Sequence, residues 1–174
     1  MEEILRDLKD VLAAVPQRES DEFLDAIVGA RRVFMYGLGR SGLVARMFGM
    51  RLVHLGQDAT IVGDTTTPAI AGDDLLVVCS RTGGSPILRH AVGLAHKEGA
   101  RAAAVVGMDD NPVARAADLV VRLPLEVAQT DRQPLGTLFE QALHLYLDAT
   151  VVRLMAKLGK TVEQMQEIHS NLPG

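Results

Sequence analysis

Five short runs, Val33 to Tyr36, Ala59 to Val62, Leu75 to Cys79, Ala102 to Val106 and Leu119 to Leu123, are apolar almost throughout and recur between stretches of helical periodicity. A strand with one wet face alternates apolar and polar residues, so runs of this kind mean strands buried on both faces. Helical patterns follow them, from about Ser41 to Leu55, from Pro86 to Lys97, near Pro112 to Ala116 and, longest, from Pro134 to Leu158, with Gly159 just past its end. Strand and helix alternating through short loops predict a doubly wound, five-stranded parallel sheet in a three-layer α/β/α sandwich with right-handed crossovers. Before it, Ile4, Leu5, Leu8, Val11 and Leu12, then Phe23, Leu24, Ile27 and Val28, mark two amphipathic helices separated by Pro16. After it, Thr161 to about Ile168 is a last helix leading to His169. The expectation is one domain over 1–174, with 1–30 and 159–174 as additions and Leu125 to Gln133 as the candidate linker.

Composition narrows this further. A chain of 174 residues supports one core, burying about 70% of its unfolded surface. With no Trp, four Phe and two Tyr, that core is built from Leu, Val, Ala, Ile and Met, which suits helices on a sheet. A net charge of −4 argues against nucleic acid as partner but leaves a small anion open, because a pocket needs only local positive potential. Cys79, the lone cysteine, falls in an apolar run and reads as a buried, inert thiol. The amino terminus lacks a secretory pattern, and no apolar run approaches the ~20 residues that span a bilayer, so a cytoplasmic protein without a membrane partner is expected. The histidines are scattered; His90 and His96 do not share a helical face, and no metal site is expected.

Ligands of such sheets bind beyond the carboxyl ends of the strands, and two loops there carry chemistry. The first is Gly37-Leu38-Gly39-Arg40-Ser41-Gly42, whose glycines permit a tight turn into a helix able to present free N–H groups to an anion. It is formally a GxGxxG. A ribose-holding acid should then close the second strand, yet Asp58 opens it and Asp64 comes late. On this motif alone a nucleotide site, another phosphate site and a merely structural turn all stay open. The second loop, Ser80-Arg81-Thr82-Gly83-Gly84-Ser85 before Pro86, brings three hydroxyls, two glycines and an arginine to another helix start. Hydroxyls and N–H groups there can surround a terminal phosphate, for which a dinucleotide fold gives no reason. The bland alternative is that Ser85 simply caps the helix.

These residues, together with Met50 to Gly56, Thr66 to Ile70, Pro134-Leu-Gly-Thr-Leu-Phe-Glu140 and His169-Ser-Asn-Leu172, run in an order that closely resembles the sugar isomerase (SIS) domain and, within it, the 6-phospho-3-hexuloisomerases. The resemblance implies an oligomer, homodimer or homotetramer, that interconverts D-arabino-hex-3-ulose 6-phosphate and D-fructose 6-phosphate without a cofactor, a step of the ribulose monophosphate route that fixes or releases formaldehyde. It implies phosphate binding by Ser80, Thr82 and Ser85 with help from Ser41, beside Gly39, Arg40 and Arg81. The family's second loop commonly has Gly and an acidic residue where this chain has Arg81 and Gly84, which makes the pocket more positive.

The reaction needs a base that removes the C2 proton, a 2,3-enediolate, and return of a proton to C3. Read by themselves, Glu140, His144 and Asp148 form the solvated stripe of a helix; the resemblance singles out Glu140 as the base. It also singles out His169, otherwise an ordinary exposed terminal residue, as an imidazole reaching an active site, plausibly a neighbouring subunit's. Arg40 and Arg81 are candidates for oxyanion or phosphate stabilisation, and no metal is required. The alternatives are a non-catalytic SIS module that senses a sugar phosphate, an aldose-ketose isomerase, and a nucleotide-dependent oxidoreductase resting on Gly37 to Gly42 alone.

Overall fold

In the computed structural model, which describes residues 1–128 and 133–171, the apolar runs become β1 (Val33–Gly37), β2 (Ala59–Ile61), β3 (Leu75–Ser80), β4 (Arg101–Val106) and β5 (Leu119–Arg122). They pair in parallel in the order β2-β1-β3-β4-β5, with Val33 beside Ala59 and Leu75, Leu75 beside Arg101, and Ala103 beside Leu119. The helices are α1 (Glu2–Ala13), α2 (Gln17–Gly29), α3 (Gly39–His54), α4 (Pro86–Lys97), α5 (Pro112–Ala116), α6 (Thr137–Leu158) and α7 (Val162–Ile168).

Successive strand residues point to opposite faces, and this chain fills both. Val33, Met35, Val77, Cys79, Ala103, Val105 and Val121 join the larger core with α1, α2, α3 and α6. Phe34, Leu76, Val78, Ala102, Ala104 and Val106 join the smaller one with α4 and α5. The amino-terminal helices supply Val11, Phe23 and Ile27 to the larger core, all fully buried.

The consequence for function comes from chain direction. After β1 the chain crosses to the larger core through α3, whereas after β3 it crosses to the smaller one through α4. Neighbouring strands whose connections diverge leave a crevice at their carboxyl ends, here between β1 and β3. Both glycine-bearing loops flank it.

The long helix begins later than its periodicity suggested. Pro134–Gly136 is a 3₁₀ turn in which Leu135 and Gly136 have φ of 54° and 85°, left-handed values that no α-helix continues through, so α6 starts at Thr137. At its other end Gly159 takes the left-handed cap at φ 63°, and Thr161 with Gln164 forms a capping box for α7. The linker expected from Leu125 to Gln133 opens as a 3₁₀ turn, Leu125–Val127; its residues 129–132 lie outside the described residues.

Asp74, immediately before β3, ties the amino ends of the central strands together. Its carboxylate accepts from Arg32 Nη2 at 2.8 Å and from the Ala71 N–H at 2.9 Å, with Arg31 Nη2 at 3.0 Å. Burial pushes its pKa up, but the Arg32 hydrogen bond, the Ala71 N–H and the two guanidinium charges outweigh burial and hold it below the usual carboxylate value. A carboxylate lowered in the fold contributes stability that is complete above its unfolded pKa and is lost as pH falls through the folded one. Asp74→Ala is therefore expected to cost about 2 kcal/mol at pH 7, because the Ala71 N–H and the Arg32 guanidinium lose their shared acceptor. In urea melts the gap between variant and wild type should close below about pH 4.

Candidate active site

At the first loop, Gly39 sits at φ 55° with open space around it, a conformation that glycine adopts without strain. Gly37 and Gly42 are constrained differently. A Cβ on Gly42 would lie 2.5 Å from the Gly37 carbonyl oxygen, and one on Gly37 would lie 2.9 Å from the Gly42 Cα. The glycine spacing thus serves close contact between the end of β1 and the first turn of α3. Ser41 is buried there and Arg40 exposed. Asp64, the acid that a ribose would need, pairs with Arg46 of α3 at 2.8 Å.

The second loop is held from below. Gly83, at φ 57°, lies against the side chain of buried Asn111, which would collide with any Cβ there. Asn111 caps α5 by accepting from the Ala114 N–H at 2.8 Å and donates to the Met108 carbonyl at 2.7 Å. Arg81 O accepts from Gly107 N–H at 3.0 Å. Ser80 Oγ accepts from Gly83 N–H at 3.1 Å and Thr82 Oγ1 from Gly84 N–H at 3.4 Å, so both hydroxyls keep their hydrogens for another acceptor. Ser85 stands at the cap position of α4 but makes no side-chain capping bond, which leaves its hydroxyl and the first-turn N–H groups of that helix available. The bland reading of Ser85 as a cap is thereby corrected.

The start of α6 joins the two loops. A Cβ on Gly136 would lie 2.5 Å from Arg81 Cδ and Nε, so this glycine lets the arginine pass along the chain just before the helix. Four residues on, the largely buried Glu140 carboxylate accepts from Arg40 Nε. A cavity of about 320 Å³ opens beside that pair, lined by Arg40, Leu43, Met47, Glu140, Gln141 and His144. His144 Nε2 is 3.6 Å from Asp148, so the polar stripe of α6 is in part a wall of this cavity. Arg81 also faces a second cavity, about 560 Å³, between β4, β5 and the start of α6.

His169 stands elsewhere. Its ring is 4.9 Å from that of His54 at the end of α3, beside a cavity of about 340 Å³ lined by Asp148, Val152 and Met155. Those residues lie 8 to 15 positions along α6 from Glu140, about 12–22 Å at 1.5 Å per residue. Within one chain Glu140 and His169 are not brought together; Leu172 of the terminal segment lies outside the described residues. Cys79 is fully buried and its thiol is pushed up to about 12. Among the described residues no group of three or more His, Cys, Asp or Glu could hold a metal ion, and no helix is long and apolar enough to cross a membrane.

Sequence reading missed three contributors. Asn111 carried a local signal, since an Asn directly before Pro112 at a strand exit is a helix start. Gly107 and Gly136 carried none, because what they make room for is distant in sequence. A Cβ on Gly107 would meet Leu125 at 2.8 Å and Phe139 at 2.9 Å.

Comparison with known proteins gives the family and the fold. A family model described as the SIS domain matches residues 26–145. The 3-hexulose-6-phosphate isomerase of Bacillus subtilis is 36% identical over 98% of this chain and 95% of its own. That of Mycobacterium gastri is 39% identical over 97% and 88%. A crystal structure of a hypothetical Methanococcus jannaschii protein, inferred to be a 3-hexulose-6-phosphate isomerase, superposes with a TM-score of 0.88 at 30% identity, covering 99% of this chain and 98% of that one.

The histidine pair predicts a pH dependence. Burial, then the charge of His169, then Arg51, hold His54 below the usual histidine value. The folded form thus binds fewer protons than the unfolded one, so the stability contributed by neutral His54 is complete above about pH 6.5 and declines as pH falls below it. Thermal midpoints measured from pH 8 to 5 should fall more steeply in wild type than in His54→Gln, with α7 amides the first to exchange.

Proposed function

The chain belongs to the SIS domain family, and on that premise we propose that it is a sugar-phosphate isomerase, interconverting D-arabino-hex-3-ulose 6-phosphate and D-fructose 6-phosphate through a 2,3-enediolate. The observation that carries this reading is the placement of Glu140. A near-buried carboxylate stands one helical turn beyond the glycine that packs on Arg81 of the hydroxyl loop, in a chain with end-to-end relatives named 3-hexulose-6-phosphate isomerase.

The phosphate is held at Ser80, Thr82 and Ser85. The free hydroxyl hydrogens and the first-turn N–H groups of α4 donate to its oxygens, and the positive end of the helix favours the dianion. Ser41 and the Gly39 turn border the same crevice from β1. Glu140 removes the proton from C2 of the 3-ketose and returns it to C3, while the O2 proton leaves and O3 gains one, so that the carbonyl moves from C3 to C2. Arg40, which donates to the carboxylate, turns to the phosphate or the enediolate oxygen as Glu140 takes the proton.

His169 belongs in this reading to a neighbouring subunit's site, because its place beside His54 is far from its own Glu140. Exposed Leu43, Met47 and Met50 of α3 and Leu145 and Val152 of α6 support self-association as homodimer or homotetramer. We read the whole chain as one domain acting in the cytoplasm on a small sugar phosphate, without nucleic acid or cofactor.

Incubation with fructose 6-phosphate in deuterated water tests the reaction. Label is expected at C3 by NMR; label at C1 would identify an aldose-ketose isomerase, and binding without exchange a sensor. Glu140→Gln should bind fructose 6-phosphate yet lower exchange by about 10²-fold or more. Ser80→Ala and Thr82→Ala should each raise KM about tenfold with kcat nearly unchanged, because phosphate binding is common to ground and transition states. Equal losses in kcat at constant KM would count against that assignment.

A further inference from the structure

The larger cavity beside Arg81 has no part in the chemistry above, and its lining is unusual for a structural gap. Its volume, about 560 Å³, lies within the range of small-molecule sites. Its apolar lining includes exposed Leu135, and behind it lies fully buried Phe139, the residue next to Glu140. Around this sit groups of both hydrogen-bonding senses. Arg122 is fixed by Asp109 and by Glu126, the latter at 2.5 Å, so its charge is answered. Each of those carboxylates retains capacity to accept further hydrogen bonds. No carboxylate among the described residues pairs with Arg81. Gln133 is nine-tenths buried in the cavity wall, and its Nε2 has no hydrogen-bond partner among the described residues. A buried donor without a partner is uncommon in native folds and marks a place where an acceptor arrives.

We propose that this cavity is the hydroxyl-recognition half of the substrate site. It takes the polyhydroxylated carbon chain of a sugar phosphate whose phosphate sits on the adjoining Ser80–Ser85 loop. The inference rests on the sugar-phosphate reading above and deepens it. Sugar hydroxyls both donate and accept, which suits carboxylates on one side and amide and guanidinium donors on the other. The C–H face of a sugar suits Leu135, the exposed apolar side chain of the lining. A simple anion suits the cavity less well, since the four charged side chains that line it among the described residues sum to zero. Arg81 belongs to both the phosphate loop and the cavity wall, and so stands where the two halves of the ligand meet.

Calorimetric titration of the intact protein with two probes, fructose 6-phosphate and inorganic phosphate, tests this. Gln133→Met keeps the length of the side chain and removes its amide, and Glu126→Gln alters the cavity independently should the first variant fail to fold. Each is expected to weaken fructose 6-phosphate about tenfold, the scale of one lost hydrogen bond, while inorganic phosphate binds as in wild type. Unchanged affinity for fructose 6-phosphate in the folded variants overturns the proposal, as does a parallel loss for both probes, which would mean general damage. Selective weakening in a protein that exchanges no hydrogen at C3 would support the cavity assignment while removing the isomerase reading, so the two fail separately.

Discussion

Everything that places the site follows from one constraint: a parallel sheet buried on both faces forces each strand exit toward one core or the other. Where β1 and β3 lie side by side, their exits diverge, α3 toward the larger core and α4 toward the smaller. No chain can fill the gap this leaves without breaking the pairing. Two helix amino termini border the gap, and their N–H groups favour an anion there. An anion-favouring crevice is thus a by-product of topology, and the hydroxyls of the second loop stand at its edge.

Chemistry is added by an element that does not belong to the crevice. The first turn of α6 comes from far along the chain and meets both loops at once, through Gly136 against Arg81 and through Glu140 against Arg40. The two left-handed residues ahead of Thr137 set the direction in which that helix starts. A regular helix from Pro134 would carry Glu140 on a different rotation, so the departure from regularity helps set where that carboxylate points. Two cavities lie beside this turn, one lined by Glu140 and one by Arg81 and Leu135.

Most of the architecture was legible because burial writes itself into short-range pattern. The strand runs were recognisable to within a residue, and the bounds of α4 and α5 were marked by Pro86 and Pro112 at their first positions. The start of α6 was misread since Leu135 carries no sign of a left-handed conformation, and its side chain is almost wholly exposed. Ser85 looked like a cap because its residue type and position fit one; only coordinates reveal that the hydroxyl bonds to nothing on the helix. For His144 the reading as solvated stripe missed a cavity formed jointly with α3.

By itself the sequence determined the sheet, its parallel sense, the two glycine-bearing loops at its carboxyl edge and the family, since periodicity, turn residues and ordered motifs are local properties of the chain. Tertiary structure alone decided the company each polar group keeps. It set Arg40 on Glu140, Arg81 along Gly136 and Gln133 into a cavity, and it put His169 beside His54 rather than near the carboxylate. Those pairings join residues up to 115 positions apart, as from His54 to His169, and no local rule specifies them. They follow from how helices pack across the sheet, where many side chains contribute and none decides alone.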